Sequence, residues 1–234
     1  MIKIENLTVR YSAKERNVID GITLSIGRGE KVALLGDNGA GKTTLLLTIV
    51  GILPISGGTI RVNGIEVNKK NIDSVRKNVG FVFQNPDDQL FMPTVAQDIA
   101  FGMKNYGASE AEIAEKRGRV TASLGISDLE NSMVHKLSGG EKRLAAMAGI
   151  LVMSPDAILL DEPTSFLDMK ARNRLIAHLN ALTQSMVIAT HDMDFAKKTC
   201  SRAIFLSGGK VYADCAAESL SDNKELLAEF GFDC

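Results

Sequence analysis

The 234-residue chain has no long uninterrupted apolar run. Its longest, Leu45–Leu53 and Leu144–Met153, fall well short of the roughly 18 residues that a membrane-spanning helix needs. If the protein works at a membrane, another chain holds it there. Cysteine is scarce: Cys200, Cys215 and Cys234 are odd in number and lack C-x-x-C spacing. That argues against a disulfide framework or a zinc site and fits a reducing compartment. No charge sign dominates either. With 27 Lys and Arg against 28 Asp and Glu, the net charge of −1 provides no global basic field for nucleic acid or anionic lipid. No linker, low-complexity tract or internal repeat is visible, and Met1–Glu5 alternates like a strand rather than opening a secretion signal. What is present, 45% hydrophobic and 24% charged residues, suffices for a substantial globular core.

Patterning predicts an α/β chain. Ile22–Ile26 alternates apolar with polar and ends in the turn Gly27–Glu30. Val32–Leu35 is a short apolar run, as expected of a strand buried on both faces, and Lys42–Val50 has helical spacing. Thr59–Val62 and Ile65–Val67 flank Asn63-Gly64, the signal of a hairpin with a type I′ turn, and Val79–Phe83 reads as a further strand. From about Thr94 to Met153 only helical patterns occur. Capping boxes are predicted at Thr94…Gln97 and Ser109…Glu112, so this stretch is expected to be a helical sub-lobe, residues 94–153, within a single domain spanning 1–234. Strands return at Ala157–Leu160 and Met186–Thr190, joined by a crossover helix at Met169–Leu182. A hairpin over Ala203–Leu206 and Lys210–Tyr212 and a terminal helix follow.

Three segments carry chemistry. Gly36-Asp37-Asn38-Gly39-Ala40-Gly41-Lys42-Thr43 matches the phosphate-binding loop G-x-x-x-x-G-K-[ST], followed by Thr44. Its glycines let several backbone N–H groups converge on one anion at the positive end of a helix. Lys42 is expected to reach the β- and γ-phosphates of ATP, and the Thr43 hydroxyl to bind Mg²⁺. Ala157–Leu160 ends in Asp161-Glu162, which can set Asp161 against the metal and Glu162 toward an attacking water. Leu137-Ser138-Gly139-Gly140-Glu141 opens a helix through a capping box, and its uncovered N-terminus beside two glycines is a second anion site. Two anion sites with only one phosphate loop suggest a partner's nucleotide.

Together these residues resemble the ATP-binding-cassette ATPases, in the family's order and from about Ile2 to Lys210. The resemblance implies a P-loop NTPase core of mainly parallel sheet, with an antiparallel β sub-lobe and an inserted α-helical sub-lobe. It implies that Tyr11 stacks on adenine, that Gln84 touches Mg²⁺ and reports nucleotide state to a partner, and that His191 contacts the γ-phosphate. It further implies that Ser165–Asp168 crosses a dimer interface, and that Ser138, Gly139 and Gly140 bind the γ-phosphate held by a second ATPase subunit, a copy or a paralogue.

A narrower likeness lies in Phe83–Phe91, which is similar to the segment of energy-coupling-factor ATPases, the group that includes cobalt, nickel and vitamin importers. Leu90, Phe91 and Met92 are expected to form an apolar dock for a transmembrane coupling subunit, with Asp87 and Asp88 meeting its basic residues. A solute-binding membrane subunit would then be an indirect partner, and the ATPase would lie on the cytoplasmic face. The rival expectation is a soluble cassette ATPase for cofactor assembly, DNA maintenance or translation. The near-neutral charge and single cassette disfavour the last two. Four residues depart from the family pattern: Glu141 for glutamine, Leu144 for arginine, Phe166 for a small residue and Met169 for proline.

Overall fold

The computed structural model of the chain describes residues 1–12, 14–165 and 167–221. These residues fall into two compact units, one of residues 1–79, 156–161 and 183 onward, the other of 80–155 and 162–182. Along the chain run β1 (Ile2–Val9), β2 (Ile19–Ile26), β3 (Lys31–Leu35), α1 (Lys42–Ile49), β4 (Gly57–Val62), β5 (Ile65–Glu66), α2 (Ile72–Asn78) and β6 (Val79–Val82). Then come α3 (Val95–Asn105), α4 (Glu110–Leu124), α5 (Gly139–Leu151), β7 (Ala157–Asp161), α6 (Met169–Ala181), β8 (Ser185–Ala189), α7 (Met193–Thr199), β9 (Arg202–Ser207) and β10 (Lys210–Ala216).

The first unit holds two sheets. In one, the strands lie in the order β10-β9-β3-β8-β7, parallel except for the β9–β10 hairpin. Val32–Leu35, Ala157–Leu160 and Met186–Ala189 are all buried, because parallel strands covered on both faces have no solvent side to reserve for polar residues. The other sheet is antiparallel, in the order β2-β1-β4-β5. Its core stripe on β1 is Ile2, Ile4, Leu7 and Val9, one residue out of strict alternation. Asn6, at φ 49°, absorbs the extra residue as a bulge, which asparagine tolerates better than most side chains. Asn63 and Gly64 both have positive φ, 49° and 82°, as a type I′ turn between β4 and β5 requires.

The second unit is built on helices. α3 packs on α4 and α5, and α4 also meets α6, around Ile99, Met103, Ile113, Leu124, Met147, Leu175 and Leu179. Start signals read from the sequence recur as geometry. Thr94 and Ser138 each form a reciprocal capping box, while Ser109 accepts from the Glu112 N–H alone. Gly125, left-handed at φ 69°, closes α4. The terminal helix expected after the last hairpin lies outside the described residues, as does Phe166. Among the described residues no helix is long and apolar enough to cross a membrane. Cys200 is buried and its thiol is pushed up to about 12 by desolvation, which makes it inert, and Cys215 is half-buried.

Candidate functional site

Three adjacent parallel strands of the first unit deliver their C-terminal ends to one place. β3 leads into the loop Gly36–Gly41, β7 ends at Asp161, and β8 leads through Thr190 to His191. The register holds these ends level: Asp161 pairs with Ala189, Leu34 pairs with Ala189, and the Thr190 N–H donates to the Leu34 carbonyl at 3.1 Å. Ligands of open α/β sheets bind at this end.

The loop backbone there has conformations that side chains resist. Gly36 lies at φ 136°, and a Cβ on it would come within 2.1 Å of the Leu206 carbonyl oxygen. Gly41 caps α1 at φ 102° with no side chain over the helix N-terminus. The first turn of α1 carries no acidic residue, so its N–H groups and positive end are left for an anion. Lys42 is 9% exposed and folds back over its own loop, donating to the carbonyls of Gly36 at 2.6 Å and Asp37 at 3.0 Å. An ammonium on a flexible stem can leave those carbonyls for phosphate oxygens.

Beside it, the Thr43 hydroxyl donates to an Asp161 carboxylate oxygen at 2.8 Å across 118 residues of sequence. Thr43 is exposed and Asp161 is 3% exposed. One hydroxyl and one carboxylate in contact suit Mg²⁺, which takes few protein ligands and fills its shell with water and phosphate. Among the described residues no group of three or more His, Cys, Asp or Glu side chains forms a dedicated cation cage. Tyr11 is 60% exposed with its hydroxyl 2.9 Å from Thr44 Oγ1, so the ring is tethered at the edge of the loop with its faces open for stacking. Asp37, Asn38 and Gly39 are exposed and Ala40 is buried, its N–H donating to the Asp37 carbonyl. His191 is exposed.

Gln84, Glu162 and the segment Ser138–Gly140 belong to the second unit. Ser138 caps α5 and is held by Glu141: its N–H and its hydroxyl both donate to Glu141 Oε2, at 2.8 and 2.7 Å. Those bonds lower the carboxyl's pKa below its ordinary value, so Glu141 carries its charge at neutral pH. Ser138 and Gly139 remain exposed. Glu162, next in the chain after Asp161, is 8% exposed and sits at φ 45°, a left-handed backbone that a glutamate seldom adopts. Asp168 caps α6 by accepting from the Ala171 N–H at 2.7 Å.

The segment after Gln84 corrects one expectation. Leu90 is 7% exposed and belongs to the core, so it is no part of an exposed dock. The short 3₁₀ turn Pro86–Asp88 turns Leu90 inward, and its N–H donates to the Pro86 carbonyl. Phe91 is 64% exposed and rests edge-on against Phe101, with ring centroids 4.7 Å apart. Asp87 pairs within the chain with Lys142 at 2.6 Å.

One residue escaped the sequence reading. Arg143 is fully buried, and its guanidinium donates to the carbonyls of Phe83 and Gln84 and, at 3.4 Å, to that of Glu162. The available signal was helical phase: Arg143 shares a stripe with Met147 and Leu151, and a cation on a core-facing stripe needs buried acceptors.

The family model described as ABC transporter matches residues 19–165. A Geobacter sulfurreducens protein assigned to the ATP-binding proteins of ABC transporters is 44% identical over 208 residues, 89% of this chain and 84% of that protein. A Brucella suis protein of the same description is 46% identical over 204 residues, 87% and 85% of the two chains. Among solved structures, cbiO1 of Clostridium perfringens, part of the ABC transporter complex cbiONQ, superposes with a TM-score of 0.86 at 35% identity, covering 97% of this chain and 93% of that one. The ATP-binding cassette MJ0796, solved as a dimer in a post-hydrolysis state with ADP and phosphate, gives 0.85 at 25% identity, covering 93% and 99%. The chain belongs to the ABC transporter family. It is an ATP-binding subunit with the family's ATPase fold, and it hydrolyses ATP.

Proposed function

We propose that this subunit powers an importer of a small solute, a cobalt or nickel ion or a vitamin. It would sit peripherally on the cytoplasmic face, paired with a second copy or a paralogue and docked on a transmembrane coupling subunit. The observation that carries this reading is the likeness to cbiO1 over nearly the whole of both chains. The exposed Phe91 beside Gln84–Asp88 supports it as an apolar anchor for a helix of that membrane subunit.

In this reading the phosphates of ATP lie on the Gly36–Thr44 backbone, and Lys42 exchanges its two loop carbonyls for β- and γ-phosphate oxygens. Thr43 and Asp161 would hold Mg²⁺, which when bound supplies charge neutralisation at the phosphates. His191 donates to the γ-phosphate, Tyr11 supports the base, and Glu162 orients the attacking water. Ser138, Gly139 and Gly140 of a second copy close over the γ-phosphate, so ATP binds the two copies together and hydrolysis releases them. Gln84 passes the nucleotide state toward the membrane partner.

Glu141 has a measurable consequence here. Its carboxylate takes the Ser138 hydroxyl and sets a negative charge where a phosphate would arrive. Glu141→Gln keeps the side chain's shape and removes the charge, so ATP-dependent dimers are expected to tighten by about tenfold, the worth of one charged hydrogen bond. Analytical ultracentrifugation with ATP measures this, and weaker dimers would show that the carboxylate assists closure.

The test of the function is mild-detergent copurification of the tagged protein from its host. A multi-span membrane subunit with a small-solute-binding partner is the expected result. Recovery of soluble partners alone would overturn the import reading in favour of a soluble cassette ATPase.

A further inference from the structure

The chemistry proposed for Gln84 and Glu162 does not account for Arg143. Burying a guanidinium entirely is costly unless acceptors replace its water, and Arg143 collects them from two separate stretches of the second unit. Phe83 and Gln84 lie 60 and 59 residues before it, and Glu162 lies 19 after it. These three acceptors are backbone carbonyls, so through them the arginine holds main chain. Its planar fork of five donors suits several acceptors held at set angles, which the single ammonium of a lysine does not.

The neighbours on α5 point the same way. Lys142 pairs with Asp87 at 2.6 Å. Gln89 accepts from the Phe83 N–H at 3.2 Å and donates to the Ala146 carbonyl at 2.8 Å. The helix that begins at Ser138 is thus joined to the Gln84 segment through Lys142, Arg143 and Ala146, and to Glu162 through Arg143. Residues packed and hydrogen-bonded in this way shift as a body rather than one by one.

We infer that Arg143 is a positioning residue that couples the two ATP sites of the dimer. This rests on the reading in which Ser138–Gly140 grips the nucleotide bound by the other copy. Nucleotide on that helix N-terminus sets the position of α5. Through Arg143 that position is transmitted to the backbones of the same subunit's Gln84 and Glu162. A subunit therefore becomes competent to hydrolyse its own ATP when it has seized its neighbour's. Glu162, at φ 45°, is the residue whose backbone most needs to be held in place.

The test compares the parent with Arg143→Lys and Arg143→Met in steady-state ATPase assays across ATP concentration, with fluorescent-nucleotide binding to the dilute monomer and thermal melts alongside. The expected result is positive cooperativity in the parent that falls to a Hill coefficient of about 1 in Arg143→Lys, with kcat lower by about 100-fold, the effect of an ångström-scale misplacement. Monomer nucleotide affinity should be unchanged. Should Arg143→Met fail to fold, Arg143→Lys still decides. Parent-like kcat and cooperativity in Arg143→Lys would overturn the inference and leave the dimer reading standing. So would a loss of kcat with cooperativity intact, because that is a merely structural effect. A parent that forms no dimer with ATP would overturn both.

Discussion

Glu162→Gln is expected to lower ATP turnover by about 10³-fold, the range lost when a positioned general base is removed, while ATP binding is retained. Phosphoryl transfer asks little covalent chemistry of a protein and much positioning of the nucleophile, the task proposed for Glu162. It follows Asp161 at the end of a fully buried strand and is itself 8% exposed. Its main chain is held in a left-handed conformation at φ 45°. Glutamine has the same length and closely similar backbone preferences, so the substitution leaves the strain where it was and removes the carboxylate's charge and with it the ability to take a proton. Gly36–Thr44 and Asp161, proposed to hold the phosphates and Mg²⁺, lie in the first unit and do not change. With hydrolysis blocked, the bound nucleotide persists and ATP-bound dimers accumulate. Single-turnover phosphate release and light scattering on a sizing column measure the two effects. Parent-like turnover would remove Glu162 from its role. Lost turnover without dimers would keep the role and remove the sandwich.

The sequence disclosed most where chemistry and local backbone rules coincide. The Gly36–Gly41 loop between a strand and a helix was legible because glycine positions, a buried-strand run and a helical run occur in one order, and its φ values of 136°, 81° and 102° at Gly36, Gly39 and Gly41 are what those glycines permit. The Asn63-Gly64 turn and the capping boxes at Thr94 and Ser138 were legible for the same reason: each is set by residues within four positions of one another. Periodicity does not announce α2 or α7, since seven residues make only two turns and show no clear stripe. Leu90 was misplaced because an apolar residue beside Phe91 and Met92 looks the same in sequence whether it faces solvent or core.

Contacts between distant segments were the least legible. Thr43 and Asp161 were each assigned to the metal, but nothing local placed them 2.8 Å apart. Arg143 was hidden more deeply. The carbonyls of Phe83, Gln84 and Glu162 that it bonds leave no trace in residue identity, and the departure from the family pattern lies at the adjacent Leu144. A guanidinium one position earlier on the helix points a quarter-turn away and reaches different partners. The second unit is therefore one in which residue types indicate which groups are available, and only the fold shows which of them are joined.

Lys42→Ala is the second large expected effect, and it separates the loop bonds that the structure shows from the phosphate-binding role proposed for the same side chain. Lys42 spans its own loop, bonding the Gly36 and Asp37 carbonyls at 2.6 and 3.0 Å. A residue that served only to staple the loop would, on removal, lower thermal stability and leave nucleotide affinity nearly intact. The loop conformation, however, is already set by glycines at positive φ and by the close approach of Gly36 to the Leu206 carbonyl, which hold without the lysine. The ammonium's larger contribution is charge: it stands at an uncapped helix N-terminus with no acidic residue in the first turn to offset it. Replacing it with alanine removes charge-assisted hydrogen bonds to phosphate worth about 1.5–3 kcal/mol each, so ATP affinity should fall by tenfold to more than a hundredfold. The melting temperature in the absence of nucleotide should change little. Titration with a fluorescent ATP analogue and a thermal melt of the same sample read both quantities. An unchanged affinity with a lowered melting temperature would make Lys42 a staple and overturn its assignment to the phosphates.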